Sequence, residues 1–347
     1  MKNLKVALIH DWLNGWRGGE KCLEVFCEIF PDADVYTLIY EPDKVRSSIG
    51  SHKIIPSFLN SFSWVRKKYR NFLPFFPFAI RRFSLEKYDL IISSSHCVAK
   101  GIKSSPHIKH FCYCFTPMRY LWGFQEEYFS NVSLFKKLII KITFPFLKRF
   151  DLKTNSNVDV FIAISGHIQK RIKNCYQRDS IVLYPPVDTD FFEISDYERK
   201  SNFLVVSALV PYKNIELVIE VFNDLGWPLK IIGSGPDEYR LKKMAKNNIE
   251  FVGWTQDSSL KAAYQTSRAL IFPGEEDFGI VPLEAQACGT GAAAEGPGVH
   301  HEGHLGGPRW RRRSDGVDGR RGARGFRGPA VARGHRGCTM LPTRSGP

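Results

Sequence analysis

The sequence predicts an α/β protein of two domains, each built on a parallel sheet, and three observations carry that expectation. Short Val/Ile-rich runs alternate with amphipathic stretches up to about Thr290, which is the pattern of βαβ units. Paired prolines interrupt the alternation in LYPPVDTDFF (Leu183 to Phe192), where they forbid helix and break a strand ladder. A chain of 347 residues with 43% hydrophobic content is long enough for two cores. The hinge is therefore expected near residues 186 to 200, with a first domain over 1–190 and a second over 191–290.

In chain order, the runs read as strands are Val6 to Asp11, Tyr88 to Ser95, Val158 to Ser165, Phe203 to Leu209, Leu229 to Gly235, Ile249 to Trp254 and Arg268 to Gly274. Between them lie helical candidates such as Asn214 to Gly226, where Ile215, Val218, Ile219 and Phe222 recur at the spacing of one helical face. The start, MKNLKVALIHDW, breaks its apolar run at His10 and Asp11 with no small-residue cleavage site after it, so it reads as a first strand and not a signal peptide. No apolar stretch approaches the roughly 20 residues of a membrane-spanning helix. Any membrane contact is expected to be peripheral.

After Thr290 the composition changes. The stretch to Pro347 is dense in Gly, Pro and Arg and contains neither Ile nor Lys. It cannot bury a core and is expected to be a disordered tail over 291–347, leaving the second domain incomplete. Its residues are those of GC-rich codons, whereas the Lys, Ile, Asn and Phe upstream are those of AT-rich codons. A frameshift or chimeric junction near residue 290 accounts for that; a native basic tail and an RNA-binding segment are the alternatives, the last weakened by its single Phe326. The formal charge of +14 divides accordingly, because the tail carries eleven Arg and four acids. Half of the excess is in the tail. The eight cysteines show no zinc-site spacing, Cys112 and Cys114 having no second pair, and read as reduced thiols.

Three strings carry the chemistry. In Glu275 to Thr290, EEDFGIVPLEAQACGT, the carboxylates Glu276 and Glu284 are separated by seven residues around Phe278, Gly279 and Ile280. A strand-end carboxylate and a helix carboxylate can thereby converge on one ligand. In Val205 to Asn214, VVSALVPYKN, Lys213 falls between a strand and a helix N-terminus, where a cation and helix amides can neutralise a diphosphate. In His10 to Lys21, HDWLNGWRGGEK, Gly18 and Gly19 open a helix and let backbone approach a phosphate.

Together these strings resemble glycosyltransferase family 4, retaining enzymes of the GT-B fold, in which two Rossmann-like domains face each other across a cleft. The resemblance covers residues 1–290. It implies that Glu276 holds hydroxyls of the donor sugar, Glu284 holds the nucleotide ribose, and amides around Gly279, flanked by Phe278 and Ile280, approach the sugar phosphate. Lys213 then serves the leaving diphosphate, since the Arg common in that loop is replaced by Ala208, and the Gly18–Gly19 loop covers the donor phosphates. Neither a cofactor nor a bound metal is implied. The strings SSSHCVAKG (Ser93 to Gly101) and FTPMRYLWG (Phe115 to Gly123) are similar to those of mannosyltransferases of O-antigen and exopolysaccharide assembly. Relatives commonly place His where this chain has Phe115, which cannot accept a proton. His96 is the nearest replacement on the acceptor side, or else a structural histidine. Arg119 either pairs with an acceptor pyrophosphate or bridges to a carboxylate in the fold.

The resemblance further implies a hexose donor, GDP-mannose, a lipid-linked oligosaccharide acceptor, and a cytoplasmic protein peripheral on the inner membrane face in lipopolysaccharide or exopolysaccharide synthesis. Two basic, aromatic segments, Phe58 to Phe83 and Leu134 to Phe150, suit an anionic membrane interface, or else pack as core helices with snorkelling cations. Gly233-Ser234-Gly235-Pro236 lacks the third glycine of a dinucleotide loop, Glu238 standing in that place, and reads as a strand-to-helix turn. No specific nucleic acid is expected. The competing classes are an inactive truncated or chimeric fragment and a basic nucleic-acid or membrane binder.

Overall fold

The computed structural model describes residues 4–123, 134–274 and 276–294. Seven strands form the first sheet: β1 (Val6–His10), β2 (Asp34–Thr37), β3 (Ile54–Pro56), β4 (Leu90–Ser95), β5 (Lys109–Cys114), β6 (Val160–Ala163) and β7 (Ser180–Val182). Five form the second: β8 (Phe203–Val206), β9 (Leu229–Ile232), β10 (Ile249–Gly253), β11 (Ala269–Phe272) and β12 (Ala292–Ala294). The spatial orders are β3-β2-β1-β4-β5-β6-β7 and β10-β9-β8-β11-β12, with every ladder parallel. Both sheets belong to one compact unit.

Parallel sheets need cover on both faces, so their central strands are buried and largely apolar. Strand β1 is buried along its whole length, and buried clusters lie on either side of it, around Ile9, Ile80 and Val98 and around Leu8, Leu23 and Ile49. Six helices matter for the site: α1 (Gly18–Ile29), α2 (Leu134–Lys153), α3 (Gly166–Tyr176), α4 (Ile215–Leu225), α5 (Asp257–Thr266) and α6 (Ile280–Ala287). Helix α4 buries Ile215, Val218, Ile219 and Phe222, the face expected from the spacing.

All seven expected strands are present, most of them trimmed at an end. Five others were not expected. Strand β3 carries Pro56 but lies at the sheet edge, where a missing N–H is tolerated, and β7 has only three residues. Strand β5, KHFCYC, hides its apolar content in Cys112, Tyr113 and Cys114, all buried. The strand at Ala292–Ala294 corrects the expectation that structure stops near residue 290. Three alanines suffice because the ladder with β11 is made by backbone, Leu270 opposite Ala292 and Phe272 opposite Ala294. The rest of the expected tail, 295–347, lies outside the described residues.

The Gly233–Gly235 turn has a packing reason. A Cβ on Gly233 would stand 1.9 Å from the Ser207 carbonyl oxygen, and one on Gly235 would stand 2.2 Å from that of Leu209. Backbone hydrogen bonds from Leu209 N to Ser234 O and from Asp237 N to Leu209 O close the two loops together. These glycines admit a neighbouring loop.

Candidate active site

In both sheets the strand order reverses direction between two central strands, β1 and β4 in the first, β8 and β11 in the second. Parallel α/β sheets place ligands beyond the carboxyl ends of the strands at such a switch point. Four of the sequence strings fall there. The Gly18–Gly19 loop follows β1, His96 follows β4, Lys213 follows β8 and Glu276 follows β11.

At the first switch point Asp11, fully buried, organises the loop after β4. Its Oδ2 accepts the N–H groups of His96 and Cys97, and its Oδ1 those of Val98 and Ala99, each at 2.8 Å. His96 Nδ1 stands 3.3 Å from Oδ2, and the His96 ring packs edge-on to Trp12 with centroids 4.4 Å apart. Burial, reinforced by Arg17, Arg119 and Arg70 and opposed by Asp11, lowers the His96 pKa below the usual histidine value. Phe115 lies beside it, ring centroids 6.3 Å apart, so the imidazole neighbours the position where the resemblance implied a His. Beneath them His10, bonded to Ser94 Oγ at 2.7 Å, has its pKa lowered to about 3 by burial and by His96. Gly19 faces these rings, since a Cβ there would lie 3.4 Å from the His10 ring and 3.6 Å from Phe115. One residue on, Glu20 Oε2 accepts the Arg17 N–H at 3.1 Å, and burial raises its pKa to about 7.

At the second switch point Lys213 sits in the turn Pro211–Lys213 and its Nζ forms an ion pair with Glu276 Oε1. Lys213 is buried although charged, which demands a partner. Gly274 makes room for it, because a Cβ there would meet Lys213 Cδ at 3.1 Å. Glu284, on α6 and only 3% exposed, bonds instead to Lys21 Nζ at 2.8 Å and to the Tyr264 hydroxyl at 3.0 Å. Its pKa is raised by burial, against the pull of Lys21 and the hydrogen bonds. Gly279 caps α6 at φ 86°, a left-handed conformation that glycine adopts freely, and Ile280 begins the helix.

The turn bearing Glu276 is also held from the first half. Arg119 Nη2 and Nε donate to Asp277 Oδ2 at 2.7 and 3.1 Å, and Ser165 Oγ, the N-cap of α3, donates to the Asp277 carbonyl at 2.5 Å. Phe278 packs against the first half's cluster around Tyr113 and Ile168 and stacks on Tyr184, centroids 5.8 Å apart. The bridge to a carboxylate in the fold, one of the two readings of Arg119, is present as its pair with Asp277. The site thus brings Lys213 together with Glu276, and the Gly18–Gly19 helix together with Glu284 through Lys21. Sequence reasoning missed Asp11, Lys21, Ser165, Tyr264 and Asp277. Asp11, Lys21 and Asp277 carried a signal, each lying inside one of the three motif strings.

Comparison with known proteins gives this arrangement a family. The description "Glycosyl transferases group 1" matches residues 186–295. That segment is a group 1 glycosyltransferase domain. The chain is 30% identical over 176 residues to the O-antigen chain mannosyltransferase RfbU of Salmonella typhimurium, covering 47% of this chain and 49% of the relative. It is 25% identical over 225 residues to O-antigen chain mannosyltransferase C of Escherichia coli, covering 56% of this chain and 59% of the relative. The chain thus matches about half to three-fifths of the length of these relatives. The crystal structure of Anabaena Alr3699/HepE in complex with UDP superposes with a TM-score of 0.61 at 14% identity, covering 86% of this chain and 84% of that one. The fold is GT-B, as the resemblance implied.

Proposed function

We propose that the protein is a retaining glycosyltransferase that moves mannose from GDP-mannose onto a lipid-linked oligosaccharide in cell-surface polysaccharide synthesis. One observation carries this reading: Lys213 and Glu276 form a buried-side ion pair at the second switch point, inside the segment that matches the glycosyltransferase family. The two O-antigen mannosyltransferase relatives support mannose and a lipid-linked acceptor. Glu276 receives the sugar hydroxyls, Glu284 the ribose, Lys213 the diphosphate, and the amides around Gly279 and the Gly18–Gly19 loop the phosphates. As the bond from sugar to phosphate breaks, negative charge collects on the departing nucleoside diphosphate. A fixed cation and the first amides of α4 stabilise that charge without reorganising. The reading calls for no resident metal or cofactor.

On the acceptor side His96, beside Phe115, faces the hydroxyl that attacks. A peripheral place on the inner membrane face is part of the proposal. Phe62, Trp64, Phe75, Phe78, Ile142 and Phe146 are exposed, and Phe78 stacks on Phe146 with centroids 5.9 Å apart, joining the two basic segments. Among the described residues no helix is long and apolar enough to cross a membrane. The test is nucleotide release from a panel of sugar nucleotides with a lipid pyrophosphate-linked glycan, followed by assignment of the product's anomeric configuration by NMR. GDP release from GDP-mannose above all other donors, with retention, is expected. Absence of release from every donor overturns the proposal.

A further inference from the structure

Arg119 touches both turns that carry the donor-side charges. Its guanidinium is paired with Asp277, the residue after Glu276, and lies 5.6 Å from the ring of Tyr212, the residue before Lys213. The same ring lies 5.2 Å from Lys213 Nζ, so it is flanked by two cations. Both members of the Arg119–Asp277 pair are 14% exposed in their side chains, a setting in which one unpaired member is costly. Ser165 holds the backbone of the same turn through the Asp277 carbonyl. Residues 276 to 278 thus point in two directions. Glu276 reaches Lys213 in its own half, whereas Asp277 and Phe278 are gripped by the first half.

We infer that Arg119 is a positioning residue that sets the Lys213–Glu276 pair when the two halves dock. Its motif implied an acceptor-side role, whereas the inference gives it a role toward the donor. Its side chain reaches neither Lys213 nor Glu276 directly but grips the neighbour of each. Loss of the grip leaves binding surfaces in place and displaces the reacting groups. A displacement of about 1 Å is enough to lower turnover on the order of 100-fold. For its kinetic arm the inference rests on the transferase reading; a structural arm is independent of it.

The experiment compares wild type with Arg119→Ala, Arg119→Lys, Asp277→Asn and the double variant Arg119→Ala/Asp277→Asn. In hydrogen exchange on the full chain, Arg119→Ala should raise exchange at the amides of Tyr212 and Lys213 together with those of Asp277 to Ile280. In steady-state kinetics it should lower kcat on the order of 100-fold while the donor KM changes less than about threefold. Arg119→Lys should recover part of the loss, and the double variant should be no worse than Arg119→Ala, because Asp277 has already lost its Arg119 contact in that variant. Unchanged exchange at both turns, multiplicative losses in the double variant, or a change confined to the acceptor KM each overturns the inference. If wild type transfers no sugar at all, the transferase reading fails while the exchange data still decide whether Arg119 positions the two turns.

Discussion

The loop after β4 and the turn after β11 occupy equivalent places in the two sheets, yet they are held in opposite ways. The first is fixed from within its own half, four consecutive N–H groups closing on the buried carboxylate of Asp11. The second is held from outside as well as by its own Lys213–Glu276 pair, through Arg119, Ser165 and the cluster that receives Phe278, all in the first half. Lys21 repeats the pattern by crossing from α1 to Glu284. One face of the site is therefore preorganised before the halves meet, and the other is completed by their meeting. If the turn after β11 holds the donor, contacts between the two halves set its position.

The sharpest way to break the comparison is Asp11→Asn. The amide nitrogen that replaces one oxygen faces two backbone donors instead of accepting from them. A loss of about 4 kcal/mol of stability is expected, since a buried, charge-assisted network is broken. Thermal unfolding of the full chain measures it, and a loss below about 1 kcal/mol would mean that the loop is held by something else.

Acid should act next most strongly, and also in the first half. His10 and His110 have pKa values lowered to about 3 and about 4 by burial. Between those values and the ordinary 6.5 the unfolded chain binds more protons, so their contribution to stability is lost as pH falls below 6.5. Glu20, raised to about 7 from 4.5, works the other way, losing stability as pH rises through that window. Two histidines outweigh one glutamate, and a net loss of about 3 kcal/mol is expected between pH 6.5 and 4.5. Glu20→Gln should be more stable than wild type by about 2 kcal/mol at pH 8, and equal to it near pH 4.5. Denaturant titrations at the three pH values check both signs.

A smaller effect belongs to the contact from Lys21. Removing it by Lys21→Met leaves Glu284 buried with the Tyr264 hydroxyl, and burial then pushes its pKa further up. If Glu284 receives the ribose, nucleotide binding at pH 7 should weaken on the order of tenfold and recover as pH rises. Calorimetric titration across pH 6 to 9 reads this, and an unaltered pH profile would detach Lys21 from Glu284.

The fold was largely legible in the sequence, and three candidate site residues could be named from it. Strands such as Val6–His10 announce themselves because a strand buried on both faces is almost wholly apolar, here Val6 to Ile9. Lys213, Glu276 and Glu284 could be named as candidates because the strand-to-helix loop and the paired carboxylates seven residues apart are local patterns, and the structure puts Lys213 beside Glu276, and Glu284 on α6. Contacts across the halves were not legible, because Lys21–Glu284 joins residues 263 apart and Arg119–Asp277 residues 158 apart, and no local pattern encodes such a distance. For the same reason Arg119 could be placed on a motif but not on a partner. Strand Ala292–Ala294 was hidden by composition, since a backbone ladder at a sheet edge needs no particular side chain.

The central claim is that the second switch point receives a nucleoside diphosphate through Lys213. Isothermal titration of GDP into the full chain, wild type against Lys213→Ala, tests it most directly. The account predicts saturable binding by wild type and a loss on the order of 10- to 100-fold in the variant, the value of one charge-assisted contact of roughly 1.5 to 3 kcal/mol. GDP binding that is equal in the two proteins would contradict it.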